Sequence, residues 1–289
     1  MNAGVCDELF ASIAEGLKAT VELNNGVRMP WLGLGVFQLE SERDVVGAVR
    51  EALRIGYRSI DTAALYRNER AVGRAVRESG VARGEIFITT KVWNDDVRGD
   101  RVEAAFEESR ERLGLEYVDL YLLHWPIKGR IVSSWKVLER LYRDGRARAI
   151  GVSNTMIPHL DELLAGAEVV PAVNQIEFHP YLQSRPLHRY CRGKGIRLEA
   201  WSPLMQAGPL LQNPTLAEIA KHHGKTVAQV ILRWDLQSGV VTIPKSARPA
   251  RIAENANVFD FRLNEAEMKA IEALERNQRI GPDPFDFNF

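Results

Sequence analysis

Hydrophobic and polar positions along the chain follow two alternating patterns. Short apolar and β-branched runs, which predict buried strands, alternate with longer segments whose apolar residues recur at helical spacing. The predicted strands read WLGLGVF, YRSIDTA, IFITTKV, VDLYLLHW, ARAIGVSN, AVNQIEF, IRLEAWSP and VVTIPKS. The predicted helices include SERDVVGAVREALRIG, DRVEAAFEESRERLG, IVSSWKVLERLYRDG and TVAQVILRWDLQSG, several with a polar start and a glycine at the end.

This alternation predicts an α/β fold. Strands that alternate with helices form parallel β-α-β units, and a set of eight favours a closed (β/α)8 barrel over an open sheet. Ahead of the first barrel strand, TVELNNGVRMP predicts a β-hairpin that turns at Asn25-Gly26. Because no linker or repeat divides the chain, we expect one domain over residues 1–289, with residues 1–19 as an N-terminal extension.

Composition and charge exclude several classes of protein. The chain is 45% hydrophobic and carries 38 basic and 38 acidic residues, so we expect a globular protein with no nucleic-acid or membrane partner. Leu9, Phe10, Ile13 and Leu17 predict a short amphipathic helix rather than a signal peptide. The two cysteines, Cys6 and Cys191, have no metal-ligand spacing, so we expect reduced thiols, no metal and a cytoplasmic location. Nothing in the pattern predicts a coiled-coil interface, and we expect a monomer.

Candidate chemistry collects where the predicted strands end. In a (β/α)8 barrel the active site lies at the carboxyl ends of the strands. Asp61 follows one strand, Lys91 the next and His124 the one after, while Ser153-Asn154 and Trp201-Ser202 follow two later strands. This convergence predicts a functional site more strongly than any one of the residues does.

Four of these side chains suit proton transfer to a carbonyl oxygen. Tyr66 is a candidate acid, but a free phenol has a pKa of about 10 and needs a neighbour that favours its anion. Lys91 supplies such an ammonium, and Asp61 keeps that ammonium charged and placed. His124 provides a further hydrogen-bonding group. Taken singly, Tyr66 is more often an ordinary loop residue, Asp61 a turn cap and His124 a core histidine.

The remaining motifs indicate a bound hydride donor. The sequence lacks G-x-S-x-G, H-E-x-x-H, a phosphate-binding P-loop and G-x-G-x-x-G. Carbonyl reduction needs hydride from a cofactor because side chains cannot supply it. In IPKSARPARIAEN, Lys245, Ser246 and Arg251 place two cations and a hydroxyl where barrels often bind phosphate. Two cations suit a 2′-phosphate and favour NADPH over NADH; the alternative is a solvated basic helix start.

With these residues assembled, the sequence resembles the aldo-keto reductase superfamily over about residues 20–289. The matching motifs occur in order as GYRSIDTAALYRNE, ITTKVW, LYLLHWP, GVSN, VNQIEFHP, WSPL and IPKS…RIAEN. Within the superfamily, MPWLGLGVF, AWSPLMQ and RIGPDPFDFNF are most similar to the bacterial glyoxal/methylglyoxal reductase group, related to 2,5-diketo-gluconate reductases and protozoan prostaglandin F synthases. The resemblance implies a catalytic tetrad of Asp61, Tyr66, Lys91 and His124.

The resemblance also implies how the other site residues work. Ser153, Asn154 and Gln175 would bind the nicotinamide carboxamide, and Trp201 would stack on its ring. The remaining implied contacts to NADPH are Val36, Phe37, Ser202, Pro203, Leu204, Ile243, Pro244, Lys245, Ser246, Arg251, Glu254 and Asn255. Phe37, Trp93, His124 and Trp125 would line the substrate site. The hairpin would close the barrel bottom, and residues 279–289 would fold over the active-site mouth.

These observations predict an NADPH-dependent reductase of aldehydes and α-dicarbonyls. Two other readings stay open at this point. Lys91 could form a Schiff base in a barrel lyase or aldolase, although its pairing with Asp61 disfavours a nucleophilic amine. The chain could instead be a non-catalytic nicotinamide-binding module that senses redox state.

Overall fold

The computed structural model describes residues 13, 16–287 and 289. The predicted N-terminal amphipathic helix therefore lies largely outside the described residues, as does Cys6. Two of its apolar positions are described: Ile13 is buried, and Leu17 belongs to a 3₁₀ turn, Gly16–Lys18. In the described part of the chain, no helix combines the length and apolar character that crossing a bilayer requires.

Eight parallel strands form one sheet in chain order. Each strand pairs in parallel register with the next one along the chain. The central strands are buried along their whole length, as expected for parallel strands covered by helices on one side and packed inside the barrel on the other. The bounds of these strands are β3 Leu34–Gly35, β4 Ser59–Asp61, β5 Phe87–Val92, β6 Val118–Leu123, β7 Ala147–Ser153, β8 Val173–Glu177, β9 Arg197–Trp201 and β10 Val241–Thr242.

The first and last strands meet and close the sheet. Leu32 pairs with Thr242 and Gly35 with Lys245, both in parallel orientation. A side chain at Gly35 would place its Cβ 2.8 Å from the Ile243 carbonyl oxygen, so glycine permits this close approach. The (β/α)8 barrel predicted from the sequence is confirmed.

Helices follow the strands and cover the barrel. Their caps match the sequence signals: the Ser41 side chain accepts from the Asp44 amide at one start, and Gly56 closes that helix in a left-handed conformation. The bounds of the α-helices are α1 Glu42–Ile55, α2 Glu69–Glu78, α3 Asn94–Arg98, α4 Val102–Leu113, α5 Ile131–Arg143, α6 Ile157–Gly166, α7 Arg185–Gly193, α8 Pro214–His223, α9 Val227–Gln237, α10 Pro249–Ala256 and α11 Glu265–Glu272.

The predicted N-terminal hairpin is also present. Strands β1 Thr20–Glu22 and β2 Arg28–Pro30 pair in antiparallel register. In the turn between them, the Asn24 and Asn25 side-chain amides donate to the carbonyls of Pro171 (3.0 Å) and Arg148 (3.0 Å), near the starts of β8 and β7. The hairpin therefore contacts the amino end of the barrel, opposite the strand ends that carry the candidate site.

Candidate active site

The centre of the site is the Lys91 ammonium, which lies inside the barrel with no exposed surface. Its Nζ lies 2.6 Å from Asp61 Oδ1, 3.0 Å from the Thr62 carbonyl oxygen and 3.5 Å from the Tyr66 hydroxyl. An ammonium has three hydrogens to donate, so these contacts use its whole capacity. The two candidate partners of Lys91 are thus both in contact with it.

The loop after β4 holds Tyr66 in place through its own backbone. Residues Ala64–Tyr66 form a 3₁₀ turn, and Arg67 follows with a left-handed φ of 55°. The buried Asn68 side chain then ties the loop down: its Nδ2 donates to the Val36 carbonyl at 2.9 Å, and its Oδ1 accepts from the Thr62 hydroxyl at 2.7 Å. The phenol is therefore carried on a short, firmly bonded segment.

The pKa of Tyr66 is not lowered overall, although a neighbouring ammonium such as Lys91 favours the phenolate. Burial raises the pKa of Tyr66, and this outweighs the lowering that the Lys91 charge causes. For Lys91, burial acts to lower the pKa, but the charge and hydrogen bond of Asp61 together with Tyr66 raise it overall. Tyr66 therefore carries its proton and Lys91 its charge at neutral pH, and Lys91 acts on the phenol by moderating the effect of burial.

His124 is neutral in this setting. Burial and the Lys91 charge together hold the pKa of His124 well below its usual value. Its ring lies edge-on to Tyr66, with centroids 5.9 Å apart, and edge-on to Trp93 at 5.2 Å. A neutral imidazole can donate one hydrogen bond without adding a positive charge beside Lys91.

Aromatic rings surround the exposed side of Tyr66 and His124. Phe37 is 45% exposed and contacts the Tyr66 ring with centroids 4.9 Å apart. Phe289 stacks on Trp93 at 5.7 Å, while Phe287 lies 4.9 Å from Trp125. The chain's own C-terminal aromatics thus contact two of the side chains expected to line the substrate site.

The residues expected to bind the nicotinamide lie together at the ends of β7, β8 and β9. Asn154 has a left-handed φ of 56°, and its Nδ2 donates to the His124 carbonyl at 3.0 Å. Its Oδ1 accepts from the Trp201 indole at 2.8 Å, and the Ser153 hydroxyl donates to the Gln175 carbonyl at 2.8 Å. The Gln175 amide nitrogen points inward and donates to Asp61 Oδ2 at 2.7 Å, so one hydrogen-bond network joins this group to Lys91.

The expected cofactor residues further from Lys91 follow β9 and β10. Ser202 begins the loop after β9 with a left-handed φ of 48°. Lys245 and Arg251 are exposed, and the Ser246 hydroxyl accepts from the Arg248 amide at 3.1 Å where α10 begins. The other residues of this group are Pro203, Leu204, Ile243, Pro244, Glu254 and Asn255, of which Glu254 accepts from the Thr226 hydroxyl at 2.9 Å. Val36, also expected to contact the cofactor, directly follows β3 and is buried.

The C-terminal segment is anchored beside Trp201 by a buried carboxylate. Glu177, at the end of β8, accepts from the amide of Ile280 at 2.7 Å and from the amide of Gly281 at 3.0 Å. A Cβ on Gly281 would lie 2.4 Å from the Trp201 ring, so only glycine fits against the indole here. This anchor contacts the ring that we expect to stack on the cofactor.

Sequence reasoning missed three contributors to the site. The Thr62 carbonyl contacts Lys91 through its backbone, which no side-chain pattern reveals. Glu177 and Glu199 are buried carboxyls on β8 and β9. A glutamate within a predicted barrel strand was the available signal for both.

Comparisons with known proteins agree with this fold and geometry. The family model described as the aldo/keto reductase family matches residues 31–276. The chain is 58% identical over 273 residues to a glyoxal reductase of Bacillus subtilis, covering 94% of this chain and 99% of that protein. It is 46% identical over 270 residues to methylglyoxal reductase DkgA of Escherichia coli, covering 92% and 97%. A crystal structure of a Bombyx mori aldo-keto reductase in complex with NADP superimposes with a TM-score of 0.87 at 36% identity, covering 91% of this chain and 94% of that one.

A closed (β/α)8 barrel with a lysine, an aspartate, a tyrosine and a histidine at its strand ends defines an oxidoreductase that acts on carbonyl groups. This chain belongs to the aldo/keto reductase family. The resemblance drawn from the ordered sequence motifs is confirmed.

Proposed function

We propose that this protein reduces aldehydes and α-dicarbonyls, such as glyoxal and methylglyoxal, to alcohols with NADPH, and that Tyr66 is the general acid. The observation that carries the proposal is the buried Lys91 ammonium, 2.6 Å from Asp61 and 3.5 Å from the Tyr66 hydroxyl. The named activities of the Bacillus subtilis and Escherichia coli relatives support the substrate class.

Tyr66 gives its proton to the carbonyl oxygen as negative charge develops there. NADPH, when bound, supplies the hydride that reaches the carbonyl carbon. Lys91 donates to the phenol oxygen and stabilises the phenolate left behind, while Asp61 holds the ammonium in place. Neutral His124 donates a hydrogen bond that orients the carbonyl oxygen towards Tyr66.

The polar groups at the strand ends fit the proposed cofactor. Ser153, Asn154 and Gln175 present buried hydroxyl and amide groups, which suit a carboxamide, and Gln175 is joined to Lys91 through Asp61. The Trp201 indole donates to Asn154, which fixes its position. Lys245 and Arg251 are exposed cations at the start of α10, where a helix amino end and positive charge together favour a phosphate. These residues would hold the nicotinamide end and the 2′-phosphate end, respectively.

The same geometry argues against the two other functions considered from sequence. Every hydrogen of the Lys91 ammonium has an acceptor and its pKa is raised, so the amine is a poor nucleophile for a Schiff base. A complete proton-donating group beside an aromatic-lined opening also goes beyond what a redox-sensing module needs.

Replacement of Tyr66 by Phe tests the proposal directly. General acid catalysis contributes about 10²–10⁴-fold, so kcat with methylglyoxal should fall by about that factor while NADPH still quenches protein fluorescence on binding. Tyr142→Phe, which changes a half-buried tyrosine near the end of α5 that packs against the core, is the matched control and should keep full activity. Near-normal turnover by Tyr66→Phe would remove the phenol from this role, and failure to oxidise NADPH with any aldehyde, α-dicarbonyl, keto-sugar or prostaglandin H₂ would overturn the function.

We further propose that the protein acts as a monomer in the cytoplasm. Within the described residues, Cys191 is a buried free thiol, as expected for a reducing compartment. Size-exclusion chromatography with light scattering should give a mass near 32.5 kDa; a dimer mass would contradict the monomer.

A further inference from the structure

A second buried carboxyl lies inside the barrel next to the Lys91–Asp61 pair. Glu199, in the middle of β9, has no exposed surface. Its Oε2 accepts from Gln175 Nε2 at 2.7 Å, and its Oε1 has no hydrogen-bond partner among the described residues. A full negative charge that is buried and accepts one hydrogen bond is costly in a protein interior, more so than a neutral carboxyl group in the same place.

One amide group joins Glu199 to the catalytic residues. Gln175 Nε2 donates to Glu199 Oε2 at 2.7 Å and to Asp61 Oδ2 at 2.7 Å, and an amide nitrogen has two hydrogens to give. Gln175 and Glu199 are also direct neighbours in the pairing of β8 with β9. Both hydrogens point into the barrel, so the amide oxygen of Gln175 is the atom left to accept from a bound carboxamide.

The charges that face Glu199 explain its protonation. Asp61 and Lys91 are the charged side chains that act on it, and the residue beside it on β10 is Val241, which is apolar. Burial and, to a smaller extent, the Asp61 charge raise the pKa of Glu199, the Gln175 hydrogen bond and the Lys91 charge act to lower it, and the net result is a pKa of about 8. Near neutral pH, Glu199 is therefore a neutral acid, and the Asp61–Lys91–Glu199 group has no net charge.

We propose that Glu199 is a positioning residue that works in its protonated form: it holds the Gln175 amide against Asp61, and its ionisation weakens Tyr66 as an acid. The inference rests on the proposed role of Tyr66. In the step concerned, Glu199 releases its proton to solvent and no other bond changes. The resulting charge would make the group net negative, which raises the pKa of Tyr66 because a nearby anion disfavours the phenolate.

The expected consequence is a loss of reduction rate on the alkaline side. A shift of about one unit in the pKa of Tyr66 changes its acid strength tenfold. Because the proton is only partly transferred in the transition state, the rate changes by a part of that factor and should fall by about two- to tenfold. The midpoint should lie near the pKa of Glu199, about 8. The decline should appear in single-turnover hydride transfer at saturating NADPH, where product release does not contribute.

Glu199→Gln removes the ability of this side chain to ionise but keeps its position and its contact with Gln175. Glutamine has nearly the same shape and can still accept from Gln175, but it cannot ionise. The variant should keep hydride transfer within about twofold of the wild-type rate at neutral pH and lose the alkaline decline with its midpoint near 8. Glu139→Gln, which changes another fully buried glutamate outside the barrel on α5, is the matched control and should retain the wild-type pH profile.

Glu199→Leu tests the positioning itself. Loss of the acceptor leaves one Gln175 hydrogen without a partner. The Kd for NADPH and the KM should therefore rise by about tenfold more than in Glu199→Gln, which is the cost of one buried hydrogen bond left unmade. If Glu199→Leu does not fold, Glu199→Gln still decides the case. Equal NADPH affinity in the two variants would overturn the positioning role.

A direct titration makes the inference independent of catalysis. In infrared difference spectra, a protonated carboxyl band should disappear with a midpoint near 8 in the wild type and be missing from Glu199→Gln. An alkaline decline that persists unchanged in Glu199→Gln, or no decline in the wild type, overturns the proposal. If instead the band titrates as expected but Tyr66→Phe remains active, the fault lies in the proposed acid rather than in the state of Glu199.

Discussion

The two ends of the barrel each contain a buried aspartate, and the two are paired differently. Asp119, near the start of β6, accepts from Arg83 at 2.7 Å, Arg148 at 2.7 Å and the Ile88 amide at 2.9 Å. Asp61, at the end of β4, accepts from Lys91 at 2.6 Å and Gln175 at 2.7 Å. Both carboxylates are almost fully buried, but their cations differ in kind.

The two sets of cations differ in their exposure and in the groups that they contact. The Arg83 and Arg148 side chains are 23% and 43% exposed, and an arginine keeps its proton at any pH the protein meets. Lys91 is fully buried and contacts the Tyr66 hydroxyl, so its charge acts on the group that we propose as the proton donor. The amino end of the barrel thus has a fixed ion cluster, while the carboxyl end has titratable groups in mutual contact.

Replacement of Lys91 by Met should cause the largest loss of activity among the changes considered at the two ends of the barrel. Tyr66 would lose the ammonium that stabilises its phenolate, so kcat for methylglyoxal reduction should fall by about 10²–10⁴-fold. Stopped-flow measurement of NADPH oxidation checks the rate.

The same change leaves the Asp61 charge buried and unpaired, which itself lowers the free energy of unfolding. Lys91→Met/Asp61→Asn removes both charges and should recover stability without recovering turnover. A double variant that regains wild-type kcat would show that Lys91 contributes to folding alone.

Asp119→Asn should give the opposite result at the other end. Because both arginines are partly exposed and stay solvated, the free energy of unfolding should fall by about 1–3 kcal/mol, which is less than the loss for a fully buried ion pair. Urea denaturation measures this loss. The folded variant should keep wild-type kcat and KM, so a change in kcat larger than the change in stability would contradict a purely structural Asp119.

The positions of the tetrad could be predicted from the sequence because strand ends are visible in it. Each of Asp61, Lys91 and His124 directly follows or ends a predicted strand, and parallel strands bring their carboxyl ends to one rim. Tyr66 required only the length of the loop that follows. The barrel itself followed from the same alternation of strands and helices.

The balance of interactions among these residues could not be predicted. Whether burial or Lys91 dominates the pKa of Tyr66 depends on distances that only the folded chain sets. Glu199 was visible as an acid within IRLEAWSP, but its contact with Gln175 joins neighbouring strands whose register the sequence does not state. The stacking of Phe289 on Trp93 likewise joins the end of the chain to a residue in its first half.

The exposed cations near α10 extend the comparison to residues that contribute little to folding. Lys245→Ala and Arg251→Ala should leave the free energy of unfolding within about 0.5 kcal/mol of wild type, as for other surface substitutions. Each should weaken NADPH binding by about tenfold, the worth of one charge-assisted contact, and leave NADH binding nearly unchanged, because NADH has no 2′-phosphate. Fluorescence titration with both cofactors measures the ratio, and Lys194→Ala, an exposed lysine next to the end of α7, is the matched control. Equal losses for NADPH and NADH would mean that these cations act on the pyrophosphate or on the helix start, and the proposed 2′-phosphate contact would then be wrong.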